Sequence, residues 1–151
     1  MHTVDLASME LMEGWFAGDP SVRFRASFAL FGGNGAESSS TVYIELQPGE
    51  ALGEHTDSPE EILLVLDGEV EFQVGGERAR AGTGTLGVVP AMVPHGFRNI
   101  GSSTARVVGF FPSSGVVATF VEPIQPIDQQ VMVFGETETT EPALAAAQAA
   151  R

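Results

Sequence analysis

The chain has 151 residues, a length that fits one domain with a substantial hydrophobic core. Its net charge of −13 repels phosphate backbones and anionic lipids, so we expect neither nucleic acid nor a membrane as a partner. The absence of cysteine and lysine excludes thiolate chemistry, disulfides and Schiff bases. No phosphate-binding loop, nucleophile elbow or secretory signal stands out, and we expect a cytoplasmic protein.

The first stretch of the chain has the spacing of a short helix. Apolar residues recur at helical intervals from Leu6 to Phe16, and Asp5 stands where a helix N-cap is preferred. Gly18 and the proline that follows soon after would end such a helix. We therefore predict an N-terminal segment over residues 1–21 that contains one short helix.

The middle of the chain, residues 22–135, predicts an all-β domain. Its apolar runs are short, rich in β-branched residues and separated by glycine and proline, without any alternation of strands and helices. Two-residue turn signals stand at Asp67-Gly68 and at Gly75-Gly76, and both predict β-hairpins. The predicted strands cover residues 22–31, 41–46, 61–66, 70–74, 77–81, 85–89, 96–100, 105–111, 116–121 and 131–134.

The last residues, 136–151, differ from the rest in composition. A polar, acidic stretch precedes an alanine-rich run, and Pro142 suits the first position of a helix. A helix that short is marginal on its own. We expect a tail that is either disordered or docked on a partner subunit.

Four residues of the β domain carry side chains that bind divalent metal ions. His55, Asp57 and Glu61 are spaced by two and four residues at the start of a predicted strand, and His95 precedes another. Imidazole and carboxylate groups from two strands that meet in space provide what a divalent metal site needs. Other roles remain open, because either histidine can be structural and Asp57 can hydrogen-bond the local backbone of a turn.

The same residues stand in the register of two sequence motifs, through which the chain resembles the cupin family. The family's first motif is Gly, five residues, His-x-His, three or four residues, Glu, six residues and Gly. Gly49, His55, Glu61 and Gly68 match this register, and Asp57 stands where the second histidine belongs.

The family's second motif is Pro-x-Gly, two residues, His, three residues and Asn. Pro90, His95 and Asn99 match it, and Met92 replaces the glycine. The strand pattern extends the resemblance to residues 22–135. The resemblance is specific for the fold and much less so for function, because cupins have many unrelated activities.

The resemblance implies a single-domain jelly-roll barrel of six to eight strands with a divalent metal ion at its mouth, commonly as a homodimer. The implied ligands are His55, Glu61 and His95, with Asp57 either a ligand or linked to the ion through a water. Two imidazoles with carboxylate suit Fe(II), Mn(II) or another octahedral ion, and Ni or Zn are further candidates. Thiolate-free ligands argue against copper(I) and against structural zinc.

Three further residues are assigned to the pocket. Met92 would narrow the pocket mouth, Phe97 shares the face of His95 by strand alternation, and Phe111 is the member of a phenylalanine group that we place in the cavity. Asn99 lies on the same face as His95, and we expect it to secure a loop instead.

We expect a metal-dependent enzyme that acts on a small organic molecule. Oxidative cleavage of enol or diketone compounds, as in dioxygenase-like cupins, is the first hypothesis, with Glu61 as the catalytic residue that is either ligand or proton carrier. The same site without oxygen would serve an isomerase or a cyclase. The alternative is a non-catalytic cupin that binds a small ligand or acts as a sensor, which Asp57 in the second-histidine position would fit.

Overall fold

A computed structural model describes residues 1–134 of the chain, so the predicted tail lies outside the described residues. All strand pairings between these residues are antiparallel. The strands are Met12–Phe16 (β1), Asp19–Leu30 (β2), Ser40–Leu46 (β3), Ala51–Asp57 (β4), Glu61–Asp67 (β5), Glu69–Val74 (β6), Glu77–Gly82 (β7), Leu86–Val89 (β8), His95–Asn99 (β9), Ala105–Phe111 (β10), Val116–Gln125 (β11) and Gln129–Phe134 (β12). The prediction of an all-β jelly roll is confirmed.

The strands form one curled sheet in the order β7-β6-β9-β4-β11-β1-β2-β3-β10-β5-β8, and β12 pairs with β11. Alternate side chains along each strand point to the inside of the curl, where they build a single apolar core. In β5 this alternation buries Glu61, Leu63 and Val65. No helix within residues 1–134 combines the length and the apolar character that a membrane crossing requires.

The predicted helix from Leu6 to Phe16 is wrong. Residues Leu6–Ser8 make only one 3-10 turn, which Asp5 caps through its side chain, and the following residues form strand β1 between β2 and β11. Gly14 permits this pairing, because a Cβ at that position would lie 2.7 Å from the ring of Phe24. Tertiary pairing therefore overrides the helical spacing, and the sheet begins upstream of the expected boundary at residue 22.

One of the two predicted hairpins is also wrong. Gly75-Gly76 joins β6 to β7, which pair along their whole length as expected. Asp67-Gly68 joins β5 to β6, but β5 pairs with β8 and β10, whereas β6 pairs with β7 and β9. This turn is the corner where the chain crosses between the two halves of the barrel. Gly68 fits it with a φ of 92°.

Strand β4 is, with β1, a strand that the sequence pattern missed. Its residues Ala51–Asp57 include a glycine, a glutamate and an aspartate, all of which are rare in strands. It nevertheless pairs with β9 on one side and with β11 on the other. This central position is what brings two of the candidate ligands inside the barrel.

Asn99 secures the loops at the end of β9, as predicted. Its amide nitrogen donates to the carbonyls of Leu46 at 2.9 Å and Ser103 at 2.8 Å, and its side-chain oxygen accepts from the backbone of Gly101 at 2.8 Å. The side chain is fully buried, so no water replaces these bonds.

Replacement of Asn99 by alanine should therefore lower the free energy of unfolding by about 3 kcal/mol, because three buried backbone groups lose their partner. Chemical denaturation measures the change. Gln73→Ala, on the exposed part of β6, is the matched control and should change stability by less than about 0.5 kcal/mol. An equally small effect of Asn99→Ala would contradict the role assigned to this side chain.

Candidate metal centre and cavity

The pairing of β4 with β9 places the two histidines opposite each other. His55 and His95 are direct partners in the strand register, and their ring centroids lie 4.2 Å apart. Asp57 follows two residues after His55 on the same face of β4, and Glu61 opens β5. The structure thus brings together all four residues that the sequence identified, and all four are buried.

Asp57 is the centre of this cluster. Its Oδ2 atom lies 3.1 Å from Nε2 of His95 and 3.4 Å from Nε2 of His55. Glu61 also approaches His95, with 3.4 Å between its Oε1 and the same Nε2. Ligand atoms of His55, Asp57 and His95 lie within 4.8 Å of one another, close enough to share one ion, whereas Glu61 falls outside that group.

Backbone carbonyls hold both imidazoles in the tautomer that a metal ligand needs. Nδ1 of His55 donates to the carbonyl of Gly53 at 2.8 Å, and Nδ1 of His95 donates to that of Val93 at 2.9 Å. A carbonyl can only accept, so each Nδ1 carries a hydrogen, and in the neutral ring each Nε2 has a free lone pair. This carbonyl contact is the usual way in which proteins orient histidine ligands.

Two buried atoms in the cluster lack a hydrogen-bond partner among the described residues, namely Oδ2 of Asp57 and Nε2 of His95. Such atoms are costly in a protein interior unless something else satisfies them. A divalent cation between them would do so, since both are good ligands for it. The residues present therefore fit a metal ion.

The pKa values of the cluster show that it favours positive charge. Burial lowers the pKa of His95, but the close carboxylates of Asp57 and Glu61 outweigh burial and raise it to about 10. Burial raises the pKa of Asp57, but the two histidines prevail and lower it to about 2. Burial raises the pKa of Glu61, and the nearby charge of Asp57 adds to that shift. A cation held by His55, Asp57 and His95 would replace the proton on His95 as the source of that charge.

A cavity of about 770 Å³ opens from this cluster. Three of the four cluster residues, His55, Asp57 and Glu61, form its polar end. Its walls are mostly apolar, and their aromatic members are Phe24, Phe28, Phe31, Phe111, Phe120 and Phe134. This size and this distribution of polar groups are typical of small-molecule sites.

Of the three residues assigned to the pocket, only Phe111 lines this cavity. Met92 is 60% exposed and outside the cavity, and its φ of 64° explains why the motif has glycine at this position. Phe97 is 3% exposed and packs edge to face against Phe72 in the apolar core. The assignments of Met92 and Phe97 to the pocket are therefore wrong.

Most of the cavity wall consists of residues that the sequence pattern did not predict. Phe24 and Phe28 share one face of β2 by strand alternation, and Phe120 contacts His55 across the pairing of β4 with β11. The alternation within β2 was visible in the sequence. The register of β11 against β4 was not, because β4 itself was not predicted.

The family comparison agrees with this description. The family model described as a cupin domain matches residues 42–111, a range that includes every member of the metal cluster. No curated protein matches the chain significantly.

Solved structures of similar fold include several enzymes. The polyketide cyclase RemF from Streptomyces resistomycificus is 20% identical with a TM-score of 0.61, and the match covers 74% of this chain and 79% of that one. KdgF from Halomonas sp. is 16% identical with a TM-score of 0.58, covering 74% and 94%. Lactobacillus farciminis oxalate decarboxylase is 18% identical with a TM-score of 0.63, covering 74% of this chain but only 33% of that longer one.

At these identities the solved structures establish the fold alone. The family match, the jelly-roll sheet and the position of both motifs inside it agree with one another. The chain contains a cupin domain, which the family model matches over residues 42–111.

Proposed function

We propose that this protein is a metal-dependent enzyme that acts on a small organic molecule, and specifically an oxidoreductase of the dioxygenase type. The observation that carries the proposal is the buried group of His55, Asp57 and His95 at the end of an apolar cavity. Two histidines and one carboxylate with open positions form the ligand set of non-haem Fe(II) oxygenases. Mn, Ni and Zn accept the same ligands, so the identity of the ion is left open.

The chain's own residues have distinct roles in this proposal. A divalent ion held by His55, Asp57 and His95 would supply Lewis acidity to a bound oxygen donor and, if redox-active, would activate dioxygen. Glu61 adjoins the group without belonging to it, and burial, together with the nearby charge of Asp57, raises the pKa of its carboxyl group. It is therefore placed to give a proton to the substrate or take one from it. The apolar walls would surround the part of the substrate that does not react.

A metal-dependent cyclase or isomerase is the second candidate function. The size and the apolar lining of the cavity favour it. Ring formation depends on an apolar surface that encloses the substrate, and it does not need oxygen. The polyketide cyclase named above has a similar fold, which is compatible with this reading. Both candidates need the same three ligands and differ only in the need for oxygen.

Oxygen consumption separates the two functions. Fe(II)-loaded protein is mixed with a panel of enols and β-diketones in an oxygen electrode, while products are followed by mass spectrometry. The proposal expects oxygen uptake that is coupled to cleavage of one compound and is abolished in His95→Ala. Product formation without oxygen uptake would establish the cyclase or isomerase function. Tight binding without any product would establish a binding protein.

The structure predicts that Asp57 and Glu61 differ in their importance for the metal. Asp57→Asn and Glu61→Gln are the same chemical change at neighbouring carboxylates, so each is the control for the other. Asp57→Asn removes a carboxylate from the ligand group and should weaken metal affinity by about 100-fold or more, whereas Glu61→Gln should change it by less than about tenfold. Titration with Mn(II) followed by elemental analysis measures both, and His95→Ala defines loss of the site.

Equal losses in the two amide variants would place Glu61 among the ligands and contradict its role as a proton carrier. Unchanged affinity in Asp57→Asn would mean that this carboxylate does not bind the ion.

The position of Glu61 depends on a glycine in the neighbouring strand β10. A Cβ at Gly109 would overlap Oε2 of Glu61, and it would lie 2.9 Å from Cγ1 of Val42. The carboxylate therefore occupies space that any other residue at 109 would take. Because Glu61 is buried, it has little freedom to move aside.

Gly109→Ala should accordingly lower the free energy of unfolding by about 1–3 kcal/mol. In a Glu61→Ala background the same change should cost about 1 kcal/mol less, since the overlapping carboxylate is gone. Urea denaturation of the four proteins of this cycle gives the coupling. The double variant Val42→Ala/Gly109→Ala is the control for the contact with Cγ1 of Val42. A cost of Gly109→Ala that is the same with and without Glu61 would contradict the packing described.

A further inference from the structure

The charges that line the cavity disfavour anionic substrates. The ionisable residues in the lining are His55 and three acids, Glu13, Asp57 and Glu61, and none of the described arginines is among them. The chain has no lysine, and its net charge is −13. An anionic substrate would therefore enter a negative field and would find no cation other than the metal ion to pair with.

The aromatic wall begins directly beside the candidate ligands. The ring of Phe120 stacks on His55 with 4.6 Å between centroids and 20° between planes. Phe24 lies parallel to Phe120, with 6.2 Å between centroids and 4° between planes. A ligand that binds an ion at His55 would therefore have an aromatic surface beside its metal-binding end.

A second aromatic group covers the wall farther from the ligands. Phe28 stacks on Phe134 at 4.9 Å and on Phe111 at 6.2 Å, and all three line the cavity. Such rings pair well with flat aromatic ligands. The cavity volume of about 770 Å³ is far larger than a two-carbon acid needs, and it is in the range of drug-sized ligands.

We propose that the substrate is an uncharged, largely apolar compound with several rings, which carries its oxygen donors at one end. The donors would face the ion at the polar end of the cavity, and the rings would lie between the two aromatic groups. This inference rests on the proposed function, because it places those donors on the metal. The same charges should make small dicarboxylates such as oxalate bind much more weakly.

Competing probes test this inference. 3-Hydroxyflavone is an uncharged three-ring compound with neighbouring hydroxyl and keto oxygens at one end, and oxalate is a small dianion with equivalent donors. Both are titrated under nitrogen into protein whose metal content is measured on the same sample. We expect 3-hydroxyflavone to bind at least 100-fold more tightly than oxalate, with a spectral shift that reports its oxygen donors on the metal.

Two phenylalanine variants test whether 3-hydroxyflavone binds in the cavity. Phe28→Ala removes a ring from the far wall and should weaken 3-hydroxyflavone binding by on the order of tenfold, with metal content and oxalate affinity unchanged. Phe110→Ala removes a ring that is 41% exposed and outside the cavity, and it should leave the affinity for 3-hydroxyflavone unchanged.

Failure of the inferred substrate class and failure of the proposed function give different results. Protein that holds metal but binds oxalate as tightly as 3-hydroxyflavone would overturn the substrate class and leave the metal enzyme standing. Equal effects of Phe28→Ala and Phe110→Ala would show that the rings lie elsewhere, and would also overturn the inference. Protein that takes up no metal would overturn the proposed function, and the inference would fall with it.

Discussion

The site depends on the pairing of strand β4 with strand β9. That pairing sets His55 opposite His95 and brings Asp57, two residues on, within 3.4 Å of both imidazoles. The same strand pairs on its other side with β11, which sets Phe120 against His55 and starts the aromatic wall. One central strand thus positions both the polar end of the cavity and the surface next to it. A shift of one residue in its register would turn all of these side chains outward.

The polar cluster is surrounded by apolar residues, so its charges interact strongly with one another. Water cannot screen a buried carboxylate, so Asp57 and Glu61 need positive charge close by. In the chain alone a proton on His95 supplies it, as the raised pKa of about 10 shows. A divalent ion would supply more charge and would bind Oδ2 of Asp57 and Nε2 of His95, neither of which has a hydrogen-bond partner within residues 1–134. The same lining contains none of the described arginines, so an anionic substrate would have only the ion to pair with.

The sequence predicted the metal cluster better than its surroundings. His55, Glu61 and His95 stood in motif register, and the structure brings them together with Asp57. Local spacing failed where distant pairing decides the structure. The segment around Phe16 has helical periodicity but lies in the sheet, and the turn at Asp67-Gly68 is a corner because its flanking strands have other partners. The cavity wall needed the register between β4 and β11, which no local pattern contains.

The central claim is that His55, Asp57 and His95 share one metal ion. The most direct test is a crystal structure of metal-loaded protein with anomalous data collected on both sides of the metal absorption edge. The account predicts one strong anomalous peak about 2.0–2.3 Å from Nε2 of both histidines and from a carboxylate oxygen of Asp57. An ordered cluster without a peak, or a peak held only by acids on the protein surface, would contradict it.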